Sequence, residues 1–125
     1  MLNRNSKGFT LIELLIVVVI IGVLASIAIP KFANTKEKAY LTQMKSDLRN
    51  LVTAEESYFA DSIQYTTNLG TMYLTSTGVT GPTITLTADG WTATVGHTTS
   101  VRTCAVFAGS TPLAPAAKEG EPRCT

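Results

Sequence analysis

Glu13 is the one carboxylate inside a long apolar run, KGFTLIELLIVVVII, and no other charge follows it until Lys31. In hydrocarbon an uncompensated carboxylate costs about 2.5–3.5 kcal/mol even on insertion scales. The position therefore calls for a cationic partner or an escape to the lipid headgroups. Other candidate groups offer less. His97 is the only histidine, so a histidine metal cluster or a conventional triad lacks its raw material; a turn cap is its expected role. Glu55 and Glu56 read as a solvated helix face, and GVTG at 78–81 has no lysine or following helix to make a phosphate loop. Phe9, Phe32, Tyr40, Tyr58 and Phe59 are too widely spaced for a conducting stack and read as packing residues. Cys104 and Cys124 lack both CxxC spacing and a zinc site's ligand count. An even pair in a chain with an export-like start reads as one structural disulfide, worth about 3 kcal/mol in the chain-entropy model. No enzyme activity, metal or cofactor is expected from this set.

The 125 residues are one domain's worth of chain, and their 45% apolar content is concentrated near the start. Beyond residue 8 the basic side chains number eight and the acidic nine, so no basic patch argues for nucleic acid as a primary partner. Residues 9–30, nearly all apolar, are about 22 residues, roughly 33 Å of helix, which matches a bilayer's hydrocarbon thickness of about 30 Å. Arg4 and Lys7 precede the run, so the positive-inside rule keeps the start in the cytoplasm and sends the C-terminus outward. A small residue, Gly8, precedes the run instead of an A-x-A-like site following it, so the segment reads as retained. Gly22 and Pro30 are its helix-weakening residues; proline lacks an N–H and crowds the carbonyl of Ser26.

After Pro30, Leu41, Met44, Leu48, Leu51, Glu55 and Tyr58 recur at helical spacing, widened by Val52 and Phe59. This predicts an amphipathic continuation over residues 33–61, giving one helix of about 50 residues, roughly 75–80 Å. Residues 62–82 read as a glycine-punctuated loop. TITLTADGWTATVGH then alternates on both sides of Asp89-Gly90, a strong hairpin signal, and SVRTCAVFAG supplies a further strand. The expected fold is α+β: a long N-terminal helix, half apolar and half amphipathic, packed on a small antiparallel sheet over residues 83–108. The tail has three prolines and no periodicity, and the disulfide closes it as a loop over 104–124.

KGFTLIELLIVVVIIGVLASIAIP resembles the leader and N-terminal helix of type IV pilins and the related pseudopilins. The resemblance covers about a quarter of the chain, residues 1–8 being the leader, 9–32 the assembly helix and 33–125 the head. It implies cleavage by prepilin peptidase between Gly8 and Phe9, N-methylation of Phe9, an assembly role for Glu13, and loss of helicity around Gly22 and Pro30 within a filament. It also implies a disulfide-bounded C-terminal loop on the fibre surface. The freed amine of Phe9 stays cationic after methylation, so it can neutralise Glu13 of a neighbouring helix or of its own. A misaligned subunit would leave a bare charge.

The implied function is that of a structural subunit of a type IV pilus, a homopolymer serving adhesion, twitching motility or DNA uptake. The precursor would sit in the inner membrane and polymerise with an assembly ATPase and an inner-membrane platform protein. Two alternatives stay open. One is a pseudopilin of a type II secretion system, whose major form commonly ends in an acidic calcium-binding loop; here only Glu119 and Glu121 are acidic near the end. The other is a minor pilin, a membrane-anchored binding module.

Overall fold

The computed structural model describes residues 5–125; residues 1–4, with Arg4 of the expected leader, lie outside the described residues. One helix, α1, spans Leu11–Ser62. Four strands follow: β1 Val79–Leu86, β2 Trp91–His97, β3 Ser100–Ala108 and β4 Arg123–Cys124. They form one antiparallel sheet in the order β1-β2-β3-β4. The α+β expectation holds. The chain divides into two units, Met1–Lys36 and Glu37–Thr125.

In the first unit no side chain of α1 is buried. Fourteen large aliphatic side chains between Leu11 and Ile29 are each more than half exposed. Burying such side chains is worth about 1.5–3 kcal/mol apiece, so this surface withholds on the order of 20 kcal/mol from an aqueous monomer and demands lipid or other helices. In the single chain α1 runs through Gly22 and Pro30 as the one continuous helix expected; the loss of helicity expected there belongs to the filament. Neighbouring hydroxyls bond helix carbonyls, Ser26 to Val23 O at 2.7 Å and Thr35 to Lys31 O at 3.0 Å, a pattern that bends helices without ending them. One missing N–H is a small loss in so long a ladder.

In the second unit Met44, Leu48 and Leu51 of α1 meet the inner face of the sheet. That face presents Trp91, Ala93 and Val95 from β2 opposite Ala108, Val106 and Cys104 from β3. Alternation along β2 and β3 puts Thr92, Ala105 and Phe107 on the outer face, where Ala116 and Leu113 of the tail cover Ala105 and Phe107. β3 is thus buried on both sides at its C-terminal end, which explains its continuous apolar run. β1 starts four residues before the expected sheet. Gly81-Pro82 suggested a loop, but the register shift between Thr80 and Thr83 absorbs them as a bulge within the strand. The β1–β2 turn closes with Thr87 N donating to Gly90 O at 2.9 Å. Gly90 is required by a close approach: an added Cβ would lie 1.9 Å from Ala108 O.

Two buried carboxylates of α1 pin the connection between helix and sheet. Asp47, 3% exposed, accepts the Ser76 N–H at 2.9 Å and its hydroxyl at 2.7 Å. The Tyr73 hydroxyl donates to Asp47 O at 2.8 Å, and burial, with the Asp47 charge, pushes its pKa up to about 12. Glu55 is fully buried, and its Oε2 accepts the Thr66 N–H at 3.2 Å. The solvated face expected of Glu55 and Glu56 therefore holds for Glu56 alone. Asp47→Ala strands the Ser76 donors and is expected to cost the head about 2–3 kcal/mol, read as a lowered melting temperature.

Glu55 makes the head's stability depend on pH. Burial pushes its carboxyl above 4.5; the Thr66 bond opposes the rise and the Glu56 charge adds to it. A carboxyl raised in the folded state binds its proton more readily folded than unfolded. Its contribution is therefore fully present below about pH 4.5, is lost as pH rises through the folded value, and is level above it. Asp89 has the opposite sign: hydrogen bonding from Ser110 holds it below 3.8, so its contribution is lost as pH falls. Glu55→Gln leaves Asp89 unchanged and isolates the first effect. It is expected to melt a few degrees higher than the parent at pH 7, with the difference vanishing near pH 4. An equal or lower melting temperature at pH 7 would contradict this.

Candidate functional site

The first turn of α1 is held by a reciprocal pair of hydrogen bonds. Thr10, the residue before the helix, donates its N–H to Glu13 Oε2 at 2.7 Å and its hydroxyl to the same oxygen at 3.0 Å. Glu13 N–H returns a bond to Thr10 Oγ1 at 3.2 Å, and Leu14 N–H reaches Thr10 O at 3.3 Å. This is a capping box, with threonine at the N-cap and glutamate three residues on. It satisfies two donors that a helix start leaves open, and it places negative charge at the positive end of the helix dipole.

Glu13 thus has a partner that an argument from its charge alone overlooks. The signal was present in the sequence, because Thr10-Leu-Ile-Glu13 is an S/T-x-x-E pattern opening an apolar run. The box consumes only Oε2. Among the described residues Oε1 takes no hydrogen bond and the carboxylate no ion pair. The carboxylate is therefore oriented by its own chain and left with capacity for a cation. Phe9 is 93% exposed, beside a shallow apolar surface that it lines with Glu13, Leu14 and Val17. Its nitrogen is a peptide amide joined to Gly8. Gly8 lies outside α1, an added Cβ there would meet nothing within 4 Å, and both residues of the Gly8-Phe9 junction are exposed.

The two cysteines lie far from Glu13 in sequence and do different work. Cys104 on β3 and Cys124 on β4 are register partners joined by a disulfide. They tie down a tail that Thr125 N to Thr103 O at 3.0 Å and Gly120 N to Phe107 O at 2.8 Å also hold. His97 stacks on Tyr40 with ring centres 4.2 Å apart, and its Nδ1 accepts the Thr99 N–H at 3.2 Å. It caps the β2–β3 turn. Among the described residues no group of three or more His, Cys, Asp or Glu side chains could hold a metal.

A prokaryotic N-terminal methylation motif matches residues 3–29, the stretch that contains Gly8, Phe9 and Glu13. The chain is 46% identical over 63 residues to the type IV major pilin protein PilA of Myxococcus xanthus, covering 50% of this chain and 29% of that protein. It is 45% identical over 65 residues to the type IV wide pilus major component PilA4 of Thermus thermophilus, covering 52% and 50%. It is also 42% identical over 74 residues to the type II secretion system core protein G of Klebsiella pneumoniae, covering 58% and 53%. The chain thus spans about half, or less, of the length of these relatives.

Proposed function

We propose, for a chain that belongs to the type IV pilin superfamily, the role of repeating subunit of a type IV pilus. The capping-box glutamate at the head of an exposed, bilayer-length apolar helix, directly after a Gly-Phe junction, carries this reading. Prepilin peptidase cuts between Gly8 and Phe9, and Phe9 is N-methylated. The precursor waits in the inner membrane with its C-terminus outward. The new ammonium of Phe9 then meets Glu13 of a neighbouring copy. In low dielectric that pair is attractive at contact and either charge alone is penalised, so it fixes the register of each added subunit.

Transfer from lipid into a bundle of identical helices exchanges apolar burial instead of losing it, so the driving energy comes from an assembly ATPase acting through an inner-membrane platform protein. Within the bundle, Gly22 to Pro30 is where helicity gives way. The fibre serves adhesion, twitching motility or DNA uptake through its surface, as no enzyme chemistry is called for. Electron microscopy and protein composition of sheared surface material test the role: this chain is expected as the main component of thin fibres. A trace amount within fibres of another subunit would favour the minor-pilin alternative.

The likeness to a type II secretion core protein favours one second reading, a pseudopilin in a short periplasmic fibre. Calcium separates the two. A marked gain in the head's melting temperature on adding calcium supports the secretion role, and no gain supports the pilus role.

A further inference from the structure

Ile63 carries two costs at once. It follows the last residue of α1 with φ of 59°, a left-handed conformation that β-branched side chains rarely adopt, and its side chain is 74% exposed. Glycine would end the helix with less strain. Ile63 lines an open groove with Phe59, Tyr65 and Leu86, between the end of α1 and the β1–β2 turn, and Leu86 is 47% exposed. The rim is anionic. Asp89 opens onto the groove, Glu56 accepts the Tyr65 hydroxyl at 3.0 Å, and the charge of Glu119 also acts on Tyr65.

At the other edge of the sheet, beside β4, Lys45 and Arg49 stand one turn apart on α1 and line a second groove with Arg123. Arg123 has Glu121 at 3.7 Å; among the described residues Lys45 and Arg49 have no ion pair. One groove thus offers apolar floor and carboxylate rim; the other, which Glu121 also lines, offers two long cationic side chains, Lys45 and Arg49, without ion-pair partners among the described residues.

We propose that these grooves are the two halves of a contact between copies of this chain. The flank of Lys45, Arg49 and Arg123 on one copy enters the groove of Ile63 and Leu86 on the next. The aliphatic stems of lysine and arginine cover the apolar floor while their charged ends reach Asp89 and Glu56. Because the halves lie at opposite sheet edges, the contact is heterologous and leaves one free half at each end, so it propagates. This rests on the fibre-subunit reading and adds to it a head-to-head contact separate from the N-terminal helix.

The test is carbodiimide cross-linking of sheared fibres of the whole processed chain, with peptide mapping by mass spectrometry. Lys45 is expected to join Asp89 or Glu56. A zero-length bond within one copy is ruled out for Glu56 by about 16 Å of helix, and for Asp89 by roughly 20 Å of β3 between Cys104, the register partner of Cys124, and Ser110, which bonds Asp89. In a second arm, the double variant Lys45→Glu, Arg49→Glu is expected to yield about tenfold fewer fibres, with recovery when Asp89→Lys and Glu56→Lys are added. Fibres of the reversed variant as abundant and salt-resistant as the parent's, with Lys45 unlinked in the parent, would overturn the contact alone. Absence of fibres from the parent would overturn the fibre reading and the contact with it.

Discussion

Glu13→Ala is expected to leave cleavage after Gly8 and methylation of Phe9 intact while fibres all but disappear. The alanine chain keeps its apolar helix and its Gly-Phe junction, which are what a processing enzyme and a bilayer meet. It loses the capping box, worth about 1 kcal/mol at a helix end. In the bundle it also leaves the Phe9 ammonium without a counter-charge. Removing one member of a buried pair costs about 3–5 kcal/mol, which weakens subunit addition by roughly two to four orders of magnitude at about 1.4 kcal/mol per tenfold.

Glu13→Gln separates the two contributions. Glutamine at this position can still accept from Thr10 and preserve the box, but it carries no charge. If charge sets the register, the glutamine variant fails to assemble as alanine does. If it assembles normally, capping is the important function and the register argument is wrong. Quantifying processed chain in membranes against chain in sheared fibres reads both outcomes.

The second large effect concerns the head. Cys104→Ser removes a cross-link that closes twenty residues of tail, and the chain-entropy model puts its loss at about 3 kcal/mol. β4 is two residues long, and the tail otherwise rests on two apolar side chains, a few backbone bonds and the hydrogen bonds that Glu119 and Thr125 make to β3 and its end. For a domain of this size that loss corresponds to a melting temperature lower by roughly 12–24 °C. Amide exchange should localise it, with protection of Gly120 and Thr125 lost before that of β2 and β3. A drop under about 2 °C would mean that packing of Leu113 and Ala116 on Ala105 and Phe107, not the disulfide, holds the tail.

What the sequence could and could not disclose follows from the range of the interactions involved. The helical stripe through Met44, Leu48 and Leu51 and the alternation through Trp91, Ala93 and Val95 are local patterns, and the core is built from them. The Thr10–Glu13 box spans three residues and was equally legible, though its spacing was overshadowed by the question of charge. Glu55 already sat on the buried stripe. Its partner is a backbone N–H eleven residues on, in a loop whose path no local pattern sets. Asp47 reaches Ser76 across twenty-nine residues. The start of β1 was hidden because Gly81-Pro82 signals a break in sequence, whereas a bulge lets the strand continue around it. The continuity of α1 through Pro30 was legible, because the helical spacing resumes beyond that one breaker and holds to the end of the helix.

Mass spectrometry of the chain recovered from assembled fibres tests the pairing of Phe9 and Glu13 most directly. Polymer subunits that begin at N-methylated Phe9, with Met1 through Gly8 absent, are the predicted result. Fibres of normal length whose subunits still begin at Met1 would contradict it, because no ammonium at Phe9 would then exist for Glu13 to meet.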